Sequence, residues 1–349
     1  MAINETLLTC NNTAGSLPVP VAQHSLNNSL VTQIRYSIAL CLGLVFVLGI
    51  TGNIFMLLVL IDNLRSSNSS PISTMTNTFM ANITVSDMIF LLYNVPVMLL
   101  NFIFKDWKMG SAVCISSQSM SMWTMFCSFY TMVATSILRY VAVVHPLWNL
   151  SSSKTQKLTL VTLMWLLGFL VSIPNWLSQE VVGIGDVSYC VLCMTKAQMS
   201  LYFILFGGIA FLPAMFLMVM CYWEIIRFLW CRRDKMPHSE NRLHKNKKVT
   251  ATITIIVTVF VVMWIPYWVL TCLSAIHSLP QRPIVFVASS LSTLLAYANC
   301  CVSPLLYFAL SDQFRLKLWR LLRRQQRSIQ PRQMYWIEIA MQAMTRRQL

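Results

Sequence analysis

The feature that most constrains this chain is a series of seven long apolar stretches. They lie near residues 36–61, 75–101, 112–137, 158–178, 199–225, 250–276 and 283–310. Each holds roughly 20 residues or more, enough for a helix to cross the hydrocarbon core of a bilayer. In lipid, only helices and closed barrels satisfy their own backbones. Barrel strands alternate over about ten residues, whereas these runs are longer and evenly apolar. The predicted fold is an all-α membrane protein, a seven-transmembrane helix bundle. The fourth stretch, LTLVTLMWLLGFLVSIPNWL, is clear. The second is the most polar, with Asn82, Thr84, Ser86 and Asp87, and the odd number of spans depends on it. Only 11% of the residues are charged, about half the share of a soluble domain.

Lys and Arg in the short loops set the expected orientation. With the N-terminus outside, the outer segments hold Arg35, Lys105, Lys108, Lys196 and Arg282. The rest fall inside, including Arg232, Arg233, Lys235, Arg242, Lys245, Lys247, Lys248 and the run from Arg315 to Arg327. The net charge of +15 is therefore a topology signal. No soluble basic domain carries it, so nucleic acid is not an expected partner. Residues 1–34 are polar and lack the apolar core of a cleavable signal peptide. Sequons at Asn4, Asn11 and Asn27 suggest a glycosylated outer tail. The expected organisation is this tail, a bundle over 35–310, an amphipathic helix over 311–325 and an inner tail over 326–349. The location is the plasma membrane, crossed several times.

Of the eleven cysteines, most lie within spans and read as small packing residues. Cys114 opens the third span, and Cys190 and Cys193 lie between the fourth and fifth. An oxidising exterior favours joining Cys114 to one of those two. The alternative for the C-x-x-C pair is redox or metal chemistry, for which no second Cys/His pair lies nearby.

Charged residues inside a membrane point to function. Asp87 is the one carboxylate deep in a span. With Asn53, Ser128, Asn299 and Ser303 it could form a small polar cavity suited to water or a monovalent cation; the alternative is helix-packing glue. Pro96, Pro174, Pro213, Pro266 and Pro304 interrupt spans, and those beside Trp264 and Tyr307 are candidate hinges. After the seventh span, Phe314, Leu318, Leu321 and Leu322 share one helical face. Arg315, Lys317, Arg320, Arg323 and Arg324 fill much of the rest, as in a helix lying on anionic lipid. No HExxH or Gly-rich phosphate loop appears, and no histidine sits deep in a span, so an enzyme is not expected. A small-solute transporter or channel using Asp87 remains the rival class, though no inverted repeat supports it.

The motifs in order carry a resemblance. GITGN ends at Asn53, NITVSD ends at Asp87, and Cys114 is followed at the family's spacing by LRY with Arg139. MW gives Trp165; then come Pro213, MWIP with Pro266, and SPLLY with Tyr307. Over roughly residues 35–325 the chain resembles the rhodopsin-like (class A) G-protein-coupled receptors. KKVTATITIIVTVFVVMWIPYWVL and LAYANCCVSPLLYFALSDQFR look like the somatostatin, galanin and melanin-concentrating-hormone group of peptide receptors.

The resemblance implies an extracellular peptide ligand, a heterotrimeric G protein, arrestin and membrane lipid as partners, and the likeness to the peptide group suggests the inhibitory class of G protein. It implies no cofactor beyond an allosteric sodium ion held by Asp87, Ser128 and Asn299, with Asn53 in the same polar set. Ligand-binding positions carried over are Gln118, Ser121, Met125, Trp268, Thr271, Thr293 and Tyr297. Coupling positions are Arg139, Tyr140, Tyr222 and Tyr307, and switch positions are Leu138, Trp264, Pro266, Ser303 and Pro304. Ser121 stands where amine receptors carry an aspartate, which argues against an amine ligand. Tyr297 stands where opsins keep their retinal lysine.

The chain also departs from the family. Leu138 replaces the usual acid before the arginine, Met263 a common cysteine, and Ser303 the common asparagine before Pro304. Tyr222 lies nine residues after Pro213 instead of eight, and Asn246 sits near where some members place a second acid that holds the arginine. Taken alone, Arg139 could be an interfacial anchor reaching for phosphate. Taken with the motif series, it is an activation residue lacking its restraining acid. Raised basal signalling is then the expectation, with a non-coupling scavenger receptor as the alternative.

Overall fold

The computed structural model describes residues 28–65, 71–104, 106–145, 153–184, 186–231, 240–276, 283–310 and 314–323. The order is α1 (Asn28–Arg65), α2 (Pro71–Phe104), α3 (Gly110–Val144), α4 (Lys154–Ser178), β1 (Gln179–Ile184), β2 (Val187–Leu192), α5 (Lys196–Leu205), a π-helical turn (Phe206–Phe211), α6 (Leu212–Cys231), α7 (Glu240–Ile276) and α8 (Pro283–Leu310). A short helix, α9, follows at 314–323. Seven helical segments among the described residues are long and apolar enough to cross a membrane. The first helix begins at Asn28, inside the segment expected as tail. The acceptor asparagines of the three sequons, Asn4, Asn11 and Asn27, fall outside the described residues.

Local chemistry sets the boundaries. Ser153 caps α4: its side chain accepts from the Gln156 backbone N–H at 3.1 Å, and the Gln156 side chain accepts from the Ser153 backbone N–H at 3.0 Å. Thr195 and Gln198 make the same reciprocal pair at the start of α5. Each box satisfies two donors that a helix start leaves open. Gly110 opens α3 at φ 79°, a conformation that L side chains rarely adopt.

The fifth span is not one uniform α-helix. Pro213 has no N–H to return to the preceding turn, and Gly207 and Gly208 are weak helix formers. The chain widens into the π turn, where the Leu212 N–H bonds the Gly207 carbonyl five residues back. Tyr130 on α3 donates its hydroxyl to the Ala210 carbonyl at 2.8 Å, so α3 buttresses this turn.

Helix α3 runs through the centre. It packs against α2, α4 and α6, while α1 packs on α2 and α8, α8 also on α7, and α5 on α7. An aromatic seam fills the middle: Phe129 stacks on Phe211 at 4.8 Å and on Phe260 at 5.8 Å, and Phe206 stacks on Trp268 at 4.9 Å. Helix α4 sits at the edge, with only Gly168, Ser172 and Asn175 buried. Hydrogen bonds hold it there. Trp165 Nε1 donates to Asn82 Oδ1 at 2.9 Å, Asn82 Nδ2 to Thr131 Oγ1 at 2.8 Å, and Trp123 Nε1 to the Trp165 carbonyl at 2.8 Å. A Cβ at Gly168 would lie 2.9 Å from the Trp123 ring and 3.2 Å from its carbonyl, so only glycine lets the two helices approach. The polarity of the second span thus has a structural purpose: Asn82 joins this network, and Ser86 donates to the Thr124 carbonyl at 2.8 Å.

Strands β1 and β2 form an antiparallel hairpin, running in register from Gln179↔Leu192 to Ile184↔Val187. It is fixed to the bundle end where α3 begins. Cys114 is joined to Cys190, with Cα atoms 5.6 Å apart. The Trp107 N–H donates to the Ser188 carbonyl at 2.8 Å, and the Ser188 N–H to Asp106 Oδ1 at 2.8 Å. Cys193 is disulfide-bonded as well, to a different cysteine. Cys190 and Cys193 are therefore not a redox pair with each other, and no group of metal-ligating residues is found among the described residues.

At the opposite end, α9 buries Phe314 and Leu318 and exposes Leu316 and Trp319. Lys317 pairs with Asp62 at 2.9 Å and bonds Asn63, latching α9 to the end of α1.

Candidate functional site

Arg139 lies in the last two turns of α3, at the end remote from the hairpin. Leu138 beside it is only 3% exposed. The arginine is half-buried, and its Nε is buried without a hydrogen-bond partner. No carboxylate pairs with it among the described residues. Its electrostatic neighbours are the phenols of Tyr307 on α8 and Tyr222 on α6. The Tyr222 hydroxyl accepts from Ser136 Oγ at 3.5 Å, and the Tyr307 hydroxyl reaches Met80 Sδ at 3.5 Å. The one-residue offset after Pro213 leaves Tyr222 facing the arginine. Tyr140 turns to the helix end, 3.3 Å from His145 Nε2. The side chain of Asn246 lies outside the described residues. Arg139 is thus enclosed by two neutral phenols from two other spans. Phenols offer lone pairs but no counter-charge, so the guanidinium is weakly held where it is.

Toward the middle of the bundle, Asp87 Oδ1 accepts from Ser128 Oγ at 3.3 Å. These two line a cavity with Asn299, Cys300, Met125 and Trp264. Its space for water centres is about 20 Å³, above the ~10–15 Å³ that one water needs. Asn53 is placed differently from the expected set. Its Nδ2 donates to the Gly49 carbonyl and the Cys300 carbonyl, both at 2.9 Å, so it clamps α1 to α8 and does not line the cavity. Ser303 and Pro304 are buried on α8, and the Pro304 ring approaches Gly52, where a Cβ would meet it at 3.0 Å.

Of the positions carried over for the ligand, Ser121 and Tyr297 come together across α3 and α8 within hydrogen-bonding reach. Met125 and Trp264 line both the polar cavity and an apolar one that Phe126, Phe206 and Phe211 complete. The indole N–H groups of Trp264 and Trp268 are buried without partners. Thr271 meets Tyr267, while Thr293 bonds back to the Ser289 carbonyl at 2.9 Å. Gln118 is exposed on α3, and Pro266 is half-buried within α7. Sequence reasoning missed Tyr267, whose ring lies edge-on to Trp264 at 5.8 Å and Trp268 at 5.9 Å. It also missed Arg35. That residue is 7% exposed, with Nε and Nη1 lacking partners, next to Tyr189 of the hairpin. Burial pushes the Tyr189 phenol up, and the Arg35 charge draws it back down. The signal for Arg35 was a lone cation at the very start of the first apolar run.

Residues 52–307 match the family described as 7 transmembrane receptor (rhodopsin family). The chain belongs to that family. The receptor is 27% identical to Galanin receptor 2a of Danio rerio over 80% of this chain and 76% of the relative. It is 27% identical to the Urotensin-2 receptor of Bos taurus over 86% of this chain and 76% of the relative. It is also 27% identical to Galanin receptor type 1 of Mus musculus over 86% of both. The expected kinship with class A peptide receptors is therefore correct, and the family is one of receptors, not enzymes. With its seven apolar helices, the receptor is a multi-pass membrane protein of the plasma membrane.

Proposed function

We propose that this receptor binds a peptide at the hairpin end of the bundle, which faces outward, and signals through a heterotrimeric G protein. The relatives named for galanin and urotensin-2 support the ligand class. Arg139, Tyr140 and α9 form the coupling surface with the third inner loop, and the inhibitory class of G protein is the one favoured by kinship. Arrestin would meet the same inner surface, and α9 would rest on lipid through Trp319 and its arginines. The observation that carries the reading is Arg139 itself: half-buried, flanked by Tyr222 and Tyr307, and with no carboxylate pairing with it among the described residues. A residue held this weakly shifts readily between two packings, so we read the receptor as active without ligand. Coupling between the outer and inner sites is reciprocal in free energy.

A sodium ion fits the middle cavity. Asp87, Ser128 and Asn299 supply oxygen donors to a space the size of a water or two. A cation there would favour the inactive packing by holding α2, α3 and α8 together.

The test is nucleotide exchange on purified heterotrimers added to membranes carrying the receptor, with and without galanin and urotensin peptides. Exchange above that of empty membranes is expected, strongest for the inhibitory class and abolished by Arg139→Ala at unchanged surface level. No exchange with any heterotrimer, with or without peptide, refutes the coupling.

A further inference from the structure

Arg35 takes no part in coupling, yet no other charged residue among the described ones is so deeply buried. Its place follows from helical spacing. At about 100° per residue, Arg35, Ile38, Ala39 and Leu42 share one face of α1, and all are buried. Tyr36, Leu40, Leu44 and Val47 share the opposite, exposed face. Ile38 and Leu42 pack with Phe90 and Val95 of α2 and Cys300 of α8. Arg35 therefore sits one turn outward of that apolar cluster, on the side of α1 that faces the bundle and not the lipid. Its electrostatic neighbour is the Tyr189 phenol of β2, itself buried. Its Nε and Nη1 have no hydrogen-bond partner, and no carboxylate forms an ion pair with it among the described residues. Asp106 lies close enough to act on Tyr189, but its Oδ1 accepts from the Ser188 N–H at 2.8 Å. A guanidinium placed in this way has lost its water and gained no counter-charge.

We infer that Arg35 and Tyr189 form a binding site for one carboxylate of the peptide ligand, beneath the hairpin at the outer end of α1. The inference rests on the reading that the hairpin end binds a peptide. A guanidinium presents planar N–H donors that match a carboxylate, and such charge-assisted bonds are the strong ones. Burial holds the Tyr189 phenol above its ordinary value, so at neutral pH it keeps its proton and donates a further hydrogen bond. Asp106 stands on the other side of that phenol. Its charge repels a second negative charge, so the site suits a single carboxylate and not a doubly charged phosphate. A lipid headgroup is the less suited occupant, because the face of α1 that meets lipid is that of Tyr36 and Leu40. Removing the charge from either partner weakens binding about 10- to 150-fold. A bound carboxylate would also tie α1 to the hairpin, which the Cys114–Cys190 bond already ties to α3.

The experiment follows thermal unfolding of the full-length receptor in detergent. The probes are N-acetyl-leucine, a minimal peptide C-terminus, and its carboxamide, which has the same shape and no charge. The acid is expected to raise the melting temperature at concentrations about 10- to 150-fold below those the amide needs. Arg35→Gln should remove that preference, and Arg35→Lys, which keeps the charge, should retain part of it. No response to the acid, an equal response to acid and amide, or a preference that survives in Arg35→Gln overturns the inference. So does stabilisation by added phosphatidylglycerol that Arg35→Gln abolishes while the acid has no effect, which assigns the arginine to lipid. The comparison of acid with amide needs no substitution, so it stands even where a variant fails to fold. The peptide reading is tested apart from the site. Nucleotide exchange driven by a galanin or urotensin peptide equally in the native and Arg35→Gln receptors keeps the peptide and overturns the carboxylate site. An acid-specific shift with no exchange on adding either peptide keeps the site and counts against the peptide.

Discussion

Replacing Leu138 by aspartate tests the reading of Arg139 most directly. Adjacent helical positions point about 100° apart, and the long arginine stem spans that angle. In the native receptor Leu138 is buried and Arg139 Nε is unbonded. An aspartate there gains a charge-assisted contact, about 1.5–3 kcal/mol, in the packing that keeps the guanidinium against α3. Losing the buried leucine costs about 2 kcal/mol; where Leu138 stays buried, that cost falls on both packings, so it lowers stability and surface level without moving the activation equilibrium. The net bias of ~1–3 kcal/mol toward the inactive packing cuts ligand-free activity about 5- to 150-fold. The assay is ligand-free nucleotide exchange at matched surface expression, with Leu138→Asn as the control of similar shape and no charge. Asparagine should lower basal exchange far less than aspartate. Equal falls in both variants, or a native receptor no more active than empty membranes, would sink the argument that a missing charge leaves the arginine free.

Three further perturbations read other parts of the structure. Arg35→Met removes a buried charge that has no ion-pair partner among the described residues while keeping the apolar stem, and should raise the melting temperature of the detergent-solubilised receptor by roughly 2–6 °C; a lower value would mean that the guanidinium is structurally required. Asp87→Asn should abolish a fall in basal exchange when sodium replaces potassium at constant ionic strength, and an unchanged sodium response would move the ion elsewhere. Asn53→Leu removes the hydrogen bond to the Cys300 carbonyl that clamps α1 to α8, together with the bond to the Gly49 carbonyl within α1, and should cost about 1–3 kcal/mol; surface expression equal to the native level would argue that the clamp contributes little.

The spans were legible because membrane-length apolar runs have few alternative folds. The polar second span, the least certain from composition, was correctly counted, and the structure explains its polarity: Asn82 and Ser86 face α3 and α4, where their hydrogen bonds are made. The motif series located Arg139, Asp87 and Tyr307. It did not separate the residues lining the Asp87 cavity from Asn53, because a one-residue rotation on a helix decides whether an amide meets a cavity or a neighbouring carbonyl. The π turn was also beyond reach. Pro213 and two glycines mark a weak place in a helix, but how the extra residue is absorbed depends on Tyr130, contributed by another span. Whether Cys190 or Cys193 takes Cys114 was equally undecidable, since both lie within reach until the hairpin register brings one opposite α3.

Helix α4 shows what adhesion means when the solvent is lipid. It turns Leu158, Leu163, Leu166, Leu167, Leu170 and Leu177 outward and buries three small or polar residues. In water so greasy a rod would be driven into the core; in hydrocarbon that drive is absent, because tails and leucines are equally apolar. What fastens it is a few points: an indole on an amide, a glycine against a ring, and Asn175 Nδ2 on the Tyr202 hydroxyl at 3.1 Å. Such a helix behaves like a panel hung on pegs instead of glued along its face. Its greasy face is indifferent to exchange for another apolar residue, while a change at Trp165 or Asn82 removes one of the few pegs that hold the panel in place.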